Sequence, residues 1–126
     1  MPYIKSNGVK LYYEETGKGY PIVFVHEFGS DFREWEQQVR YFSREYRCIT
    51  FNARGYPPSG VPNSLKKYGY KYSVDDIANL MKQLKINKAH IVGLSMGAYA
   101  ALIFGLKYKG MVKSLVIAGV GTGAMP

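Results

Sequence analysis

The sequence has 126 residues, 47% hydrophobic and 21% charged, with 17 basic against 9 acidic side chains and a net charge of +8. Those proportions are those of a soluble globular chain. One cysteine, Cys48, excludes an internal disulfide, and the positive charge comes with no basic helix or RNA-binding motif, so no nucleic-acid partner is expected.

In chain order, Tyr3–Ser6 reads as a short strand, Asn7-Gly8 as a hairpin turn, and Val9–Thr16 as a second strand alternating at Val9, Leu11 and Tyr13. Gly17-Lys18-Gly19 is a turn. Residues 21–26 form an apolar run of the kind buried on both faces of a parallel sheet. Phe32, Trp35, Val39 and Phe42 recur at helical spacing, which predicts a helix over 31–43 with Asp31 and Glu34 as a capping arrangement. Tyr46–Phe51 is the next buried strand, and Cys48 within it reads as a buried reduced thiol. Residues 52–72 read as an irregular loop marked by Pro57, Pro58 and Pro62. Ser73 is predicted to cap a helix over 74–85, with Asp75 and Asp76 near its positive end. Strand 89–93, helix 96–108 and strand 112–119 follow. Strand–helix alternation from residue 21 onward argues a mostly parallel sheet with right-handed crossovers, flanked by helices, behind an antiparallel N-terminal hairpin. There is no internal repeat and no linker, so one domain is expected.

Two features could mislead. No Asp, Glu, Lys or Arg occurs from Ala89 to Leu106, but His90, Ser95, Gly93, Gly97 and Gly105 fit a buried strand and helix better than a membrane span. The run L-K-K-Y-G-Y-K-Y at 65–72 interleaves bases with aromatics as single-strand binders do, yet reads better as a solvated loop with its tyrosines folded onto the surface. The N-terminus lacks the apolar core of a signal peptide, so no membrane and a cytoplasmic location are expected.

The chemistry concentrates at G-L-S-M-G, residues 93–97, with Ser95 at its centre. A β-branched run, Ile91-Val92, leads in, and a stretch rich in Ala and Leu leads out. That strand–turn–helix context makes G-x-S-x-G a nucleophile elbow. Gly93 and Gly97 are glycines because strand and helix pass too close for a Cβ. Ser95 is expected in a strained backbone conformation, beside an amide at the helix N-terminus.

Together with H-E-F-G at 26–29 and N-A-R-G-Y-P-P-S at 52–59, the elbow gives three motifs in series. The chain thereby resembles the N-terminal half of an α/β-hydrolase-fold protein with a serine nucleophile, in the esterase, lactonase and cofactor-free haloperoxidase branch. The resemblance implies that Ser95 is the nucleophile and that the backbone amides of Met96 and Phe28 form the oxyanion hole. His26, Glu27, Gly29, Gly93 and Gly97 would shape the site. Glu27 departs from the glycine common at its position, and a carboxylate there would oppose the oxyanion unless it points away. In 52–59, Asn52 replaces a frequent Asp and Pro57 a frequent Gly, while Arg54 and Gly55 are kept. Arg54 reads as a brace for the long loop.

A serine hydroxyl needs a base. His26 has two readings, base or loop-shaping residue; the resemblance implies the second. His90 lies five residues up the same strand, too far at about 3.3 Å per residue. The resemblance puts the triad acid and histidine after the nucleophile, and no acid follows the strand at 112–119, so both would lie beyond Pro126. The domain 1–126 is then incomplete at its C-terminal side, lacks the cap, and is inactive alone. Zinc is not expected, because Ser30 stands where H-E-x-x-H needs its second histidine. G-V-G-T-G-A at 119–124 reads as a glycine-rich active-site loop, not a dinucleotide site. With no metal and no cofactor, the expected partner is a small-molecule acyl substrate: an ester, lactone or relative cleaved through an acyl-enzyme. Two alternatives are a receptor or pseudoenzyme that keeps the pocket for binding, and a truncated reading frame without activity. The sequence does not define an oligomeric state.

Overall fold

The computed structural model describes residues 2–119, so the glycine-rich active-site loop expected at 119–124 lies outside the described residues beyond Gly119. The sheet forms in two parts. β1 (Tyr3–Ser6) and β2 (Val9–Thr16) pair antiparallel. Their link, Asn7-Gly8, holds both residues at positive φ, 46° and 80°, the twist a tight hairpin requires. β2 then pairs antiparallel with β4 (Tyr46–Phe51), and β4, β3 (Tyr20–Val25), β5 (Ala89–Leu94) and β6 (Val112–Ala118) run parallel. The strand order is β1-β2-β4-β3-β5-β6. An antiparallel hairpin on a mostly parallel sheet is the architecture expected from the sequence.

Strand alternation builds two cores. Val23 and Val25 of β3, Ile49 and Phe51 of β4 and Ile91 of β5 face α2 (Tyr70–Gln83) and α3 (Met96–Lys107), where Ile77, Leu80, Met81, Ala101 and Phe104 close the larger cluster. Ile22, Phe24 and Cys48 belong to a smaller cluster with Trp35 and Val39, on the side of α1 (Glu36–Phe42). Burial raises the Cys48 thiol pKa, keeping it protonated. Both clusters converge on the C-terminal ends of β3 and β5, where the candidate site lies.

Three expectations change. The predicted helix over 31–43 is a 3₁₀ turn at Phe32–Trp35 followed by α1. Asp31 caps it, accepting from the Arg33 amide at 2.9 Å, but Glu34 does not return to the cap. The helix predicted over 74–85 begins at Tyr70, with Gly69 rather than Ser73 at the cap. Gly69 sits at φ 122° and turns the chain into the helix early, and the Tyr70 ring packs edge-on against Tyr99 of α3 at 4.3 Å, which makes the extra turn worth ordering. Asp75 and Asp76 therefore sit in the second turn and serve tertiary contacts instead. Within 52–72, Leu65–Lys67 forms a short 3₁₀ turn capped by Ser64.

Candidate active site

Ser95 stands alone between β5 and α3, at φ 54° and ψ −113°. A non-glycine residue here is strained by about 1–3 kcal/mol. The strain is held from both sides: Ser95 N–H donates to Ala118 O of β6 at 2.8 Å, and Ser95 O accepts from Tyr99 N–H at 3.1 Å. The two flanking glycines have different causes. A Cβ on Gly93 would lie 2.5 Å from Gly97 O and 2.8 Å from the Ala98 Cα, because α3 doubles back over its own strand. A Cβ on Gly97 would overlap Val25 O and lie 2.6 Å from His26 O, because α3 is pressed against the end of β3.

Across the site lies the loop following β3. Glu27 N–H donates to Glu34 Oε2 at 2.7 Å, and Glu27 O accepts from the His26 ring and from Ser30 N–H. Gly29, at φ 77°, donates its N–H to the Tyr56 hydroxyl at 3.1 Å. Glu27 does not need glycine's conformational range, since it is absent from the positive-φ residues. Among the described residues, the amides of Phe28 and Met96 have no hydrogen-bond partner. The Phe28 side chain is 77% exposed.

Buried side chains hold this loop against residues 52–56. His26 Nε2 accepts from Ala53 N–H at 3.0 Å, so Nδ1 carries the proton given to Glu27 O at 2.8 Å. Both nitrogens are committed, and the ring packs edge-on to Tyr56. Asn52 Oδ1 accepts from Phe32 N–H, while its amide donates to Tyr56 O and Pro57 O. An aspartate could do only the first. Arg54 makes two 2.8 Å bonds to Asp76, donates to Lys67 O and Ser6 O, and stacks on Tyr72. It braces the long loop against α2 and β1, as its sequence context suggested. Glu34, Tyr56 and Asp76 were not singled out in the sequence as site-shaping residues. Only Tyr56 lies inside a motif.

A cavity of about 480 Å³ opens beside the elbow, lined by Phe28, Tyr56, Tyr68, Tyr70, Met96 and Gly97 among others; Ser95 is not itself in the lining. Burial, then the neighbouring Tyr99, raises the Tyr70 pKa, so its phenol stays neutral. His90 sits about 16 Å up β5 from Ser95, 2.6 Å from Ser114 Oγ and against Tyr20 and Tyr46. Neither histidine of the sequence is therefore placed to deprotonate Ser95. Among the described residues no cluster of His, Cys, Asp or Glu could hold a metal ion, and no helix is long and apolar enough to cross a membrane.

Comparison with known proteins agrees with this geometry. The profile of the alpha/beta hydrolase fold family matches residues 20–125. The chain is 30% identical over 120 residues to Epoxide hydrolase 3 of Mus musculus, covering 94% of this chain and 33% of that protein. It is 37% identical over 103 residues to a putative non-heme chloroperoxidase of Synechocystis, covering 77% and 37%. Among solved structures, a meta-cleavage product hydrolase from Pseudomonas fluorescens superposes with a TM-score of 0.89 at 30% identity, covering 95% of this chain and 45% of that one. An enol-lactonase from Burkholderia xenovorans does so with 0.89 at 27%, covering 94% and 46%. The chain thus spans about a third of the length of the curated relatives it matches. With the motifs, the strand order and the family profile in agreement, the chain belongs to the alpha/beta hydrolase fold family.

Proposed function

We propose that Ser95 is the nucleophile of a serine hydrolase acting on a small carboxylic ester, lactone or related acyl substrate. The observation that carries this reading is a serine at positive φ in the strand–helix turn, with the amides of Met96 and Phe28 unpartnered among the described residues. Ser95 Oγ attacks the carbonyl carbon and its proton passes to a base. The oxyanion takes the two amides, and collapse releases the alcohol and leaves an acyl-Ser95 that water hydrolyses. With both nitrogens of His26 engaged and His90 far up the strand, the base and its acid come from polypeptide outside these 126 residues. No cofactor enters the reading, and a cytoplasmic location suits it.

Epoxide opening is a second reading, favoured by the names of several relatives. The residue at 95 speaks against it. A carboxylate attacking an epoxide carbon leaves an ester that water can cleave, whereas a serine would leave a stable ether. A ligand-binding protein without turnover is the non-enzymatic alternative.

In the full-length gene product, Ser95→Ala should lower p-nitrophenyl acetate hydrolysis by several orders of magnitude with the circular dichroism spectrum unchanged. Residues 1–126 alone should show no turnover above the Ser95→Ala control. Hydrolysis undiminished in Ser95→Ala removes Ser95 from the mechanism.

A further inference from the structure

The cavity beside the elbow has a definite chemistry. It is about 480 Å³, within the range of small-molecule sites. Five phenyl or phenol rings line it, those of Phe28, Phe51, Tyr56, Tyr68 and Tyr70, with the His26 imidazole beside them. Two charged residues also reach it, Arg54 and Asp76, and they cancel. Both are buried, joined by two 2.8 Å bonds. The other guanidinium bonds go to Lys67 O and Ser6 O, and Asp76 accepts a further bond from the Ser6 hydroxyl. His26 spends both nitrogens on backbone, and the Tyr68 hydroxyl donates to Pro62 O at 2.9 Å. Among the described residues, the cavity therefore offers aromatic faces and no free charge. It reaches the elbow at Met96 and Gly97, and the facing loop at Phe28.

We propose that this cavity holds the uncharged aryl end of the substrate's acyl part, an arylalkanoyl group, and rejects acyl groups that carry a carboxylate. A group attached to a carbonyl carbon at Ser95 passes between Phe28 and Met96 into the ring-lined space. An anionic end would lose its water and meet no free cation among the described lining residues, because the Arg54 charge is already paired with Asp76 and four of its five N–H donors are taken. That the ligand is the acyl part of a substrate rests on the serine-hydrolase reading; that it is a neutral aryl group does not.

Binding tests it without turnover. The full-length gene product and its Ser95→Ala variant are titrated at neutral pH, by ligand-observed NMR, with phenylacetone and with 4-(2-oxopropyl)benzoate, the same ketone bearing a carboxylate at the far end of its ring. Phenylacetone should bind both proteins, and 4-(2-oxopropyl)benzoate roughly tenfold or more weakly. Ser73→Phe, which places a ring in the cavity from α2, should abolish phenylacetone binding, and Leu65→Ala, on the exposed surface, should leave it unchanged. If Ser73→Phe fails to fold, Tyr68→Ala gives the same readout by removing one of the five rings and weakening binding. Absence of phenylacetone binding, equal or tighter 4-(2-oxopropyl)benzoate binding, or binding indifferent to a folded Ser73→Phe or Tyr68→Ala overturns the proposal. Neutral-aryl binding without Ser95-dependent hydrolysis in the full-length product upholds the cavity and overturns the nucleophile. Ser95-dependent hydrolysis without aryl binding does the reverse.

Discussion

The two backbone segments that face each other across Ser95 are held by opposite means. The elbow, residues 93–97, is held by exclusion: α3 lies so close to β5 and to the end of β3 that positions 93 and 97 accept no side chain. The loop at 26–31 is held by attachment: Glu34 takes the amide of Glu27, His26 ties the loop to Ala53, Asn52 takes the amide of Phe32, and Tyr56 takes that of Gly29. Exclusion leaves no room for relaxation, since the obstacles are backbone atoms. Attachment is distributed over several bonds, each replaceable. The position of Ser95 should therefore be intolerant of change and that of the facing loop tunable, which suits a fold that keeps one elbow for many substrates.

The sharpest break of this comparison is at Gly97. Gly97→Ala forces a Cβ into Val25 O and His26 O, and the expected loss is about 3 kcal/mol, at the top of the range for overpacking, measured by denaturant unfolding. Gly110→Ala is the control. A Cβ there meets nothing within 4 Å, so that variant should be neutral or slightly stabilised. Equal effects in the two would mean that α3 slides away from β3 freely and that the elbow is not held by exclusion.

A smaller loss is expected on the attached side. His26→Phe keeps a ring of similar shape but removes the acceptor of Ala53 N–H and the donor to Glu27 O. The expected cost is about 2 kcal/mol. Hydrogen exchange at Ala53 should quicken while Ser95 and Tyr99 keep their protection. Loss of protection at Ser95 as well would join the two segments into one cooperative unit and end the distinction.

The same contrast explains what the sequence revealed. The exclusion is local, so its residues sit together as G-x-S-x-G and can be read directly. The hairpin is local too, at Asn7-Gly8. Attachment is not: Asp76 is 22 residues from Arg54, Tyr56 is 27 from Gly29, and no periodicity links such pairs. Glu34 was visible three positions after Asp31, and the capping rule assigned it there. The carboxylate instead accepts from the Glu27 amide, in the loop that the helix packs beside. Ser73 failed as a cap for a similar reason. The pairing of Tyr70 with Tyr99 is a tertiary contact, and it started α2 three residues before the first capping side chain.

The least effect is expected from acid, and its location sharpens the comparison further. Burial alone would raise the Asp75 pKa, but hydrogen bonds from Lys107 and Tyr108 outweigh it and hold the carboxyl below its ordinary value. Asp31 is also held low, chiefly by the Arg33 side chain against the pull of burial. A carboxyl whose folded pKa is lower than its unfolded one binds protons more weakly when folded. Its stabilisation is complete above the unfolded value of about 3.9 and fades as pH falls through the folded value. Stability should therefore be level from neutral pH down to about pH 5 and decline below about pH 4. Asp75 ties α2 to the C-terminal end of α3, far from the elbow, whose glycine contacts contain no titratable group. Lys107→Met should make the decline below pH 4 shallower, by letting the folded Asp75 pKa rise towards its unfolded value. Denaturant midpoints for both proteins between pH 6 and pH 3 give the two slopes. Identical slopes would mean that Asp75 and Lys107 do not couple α2 to α3, and that acid acts on the chain through other carboxylates.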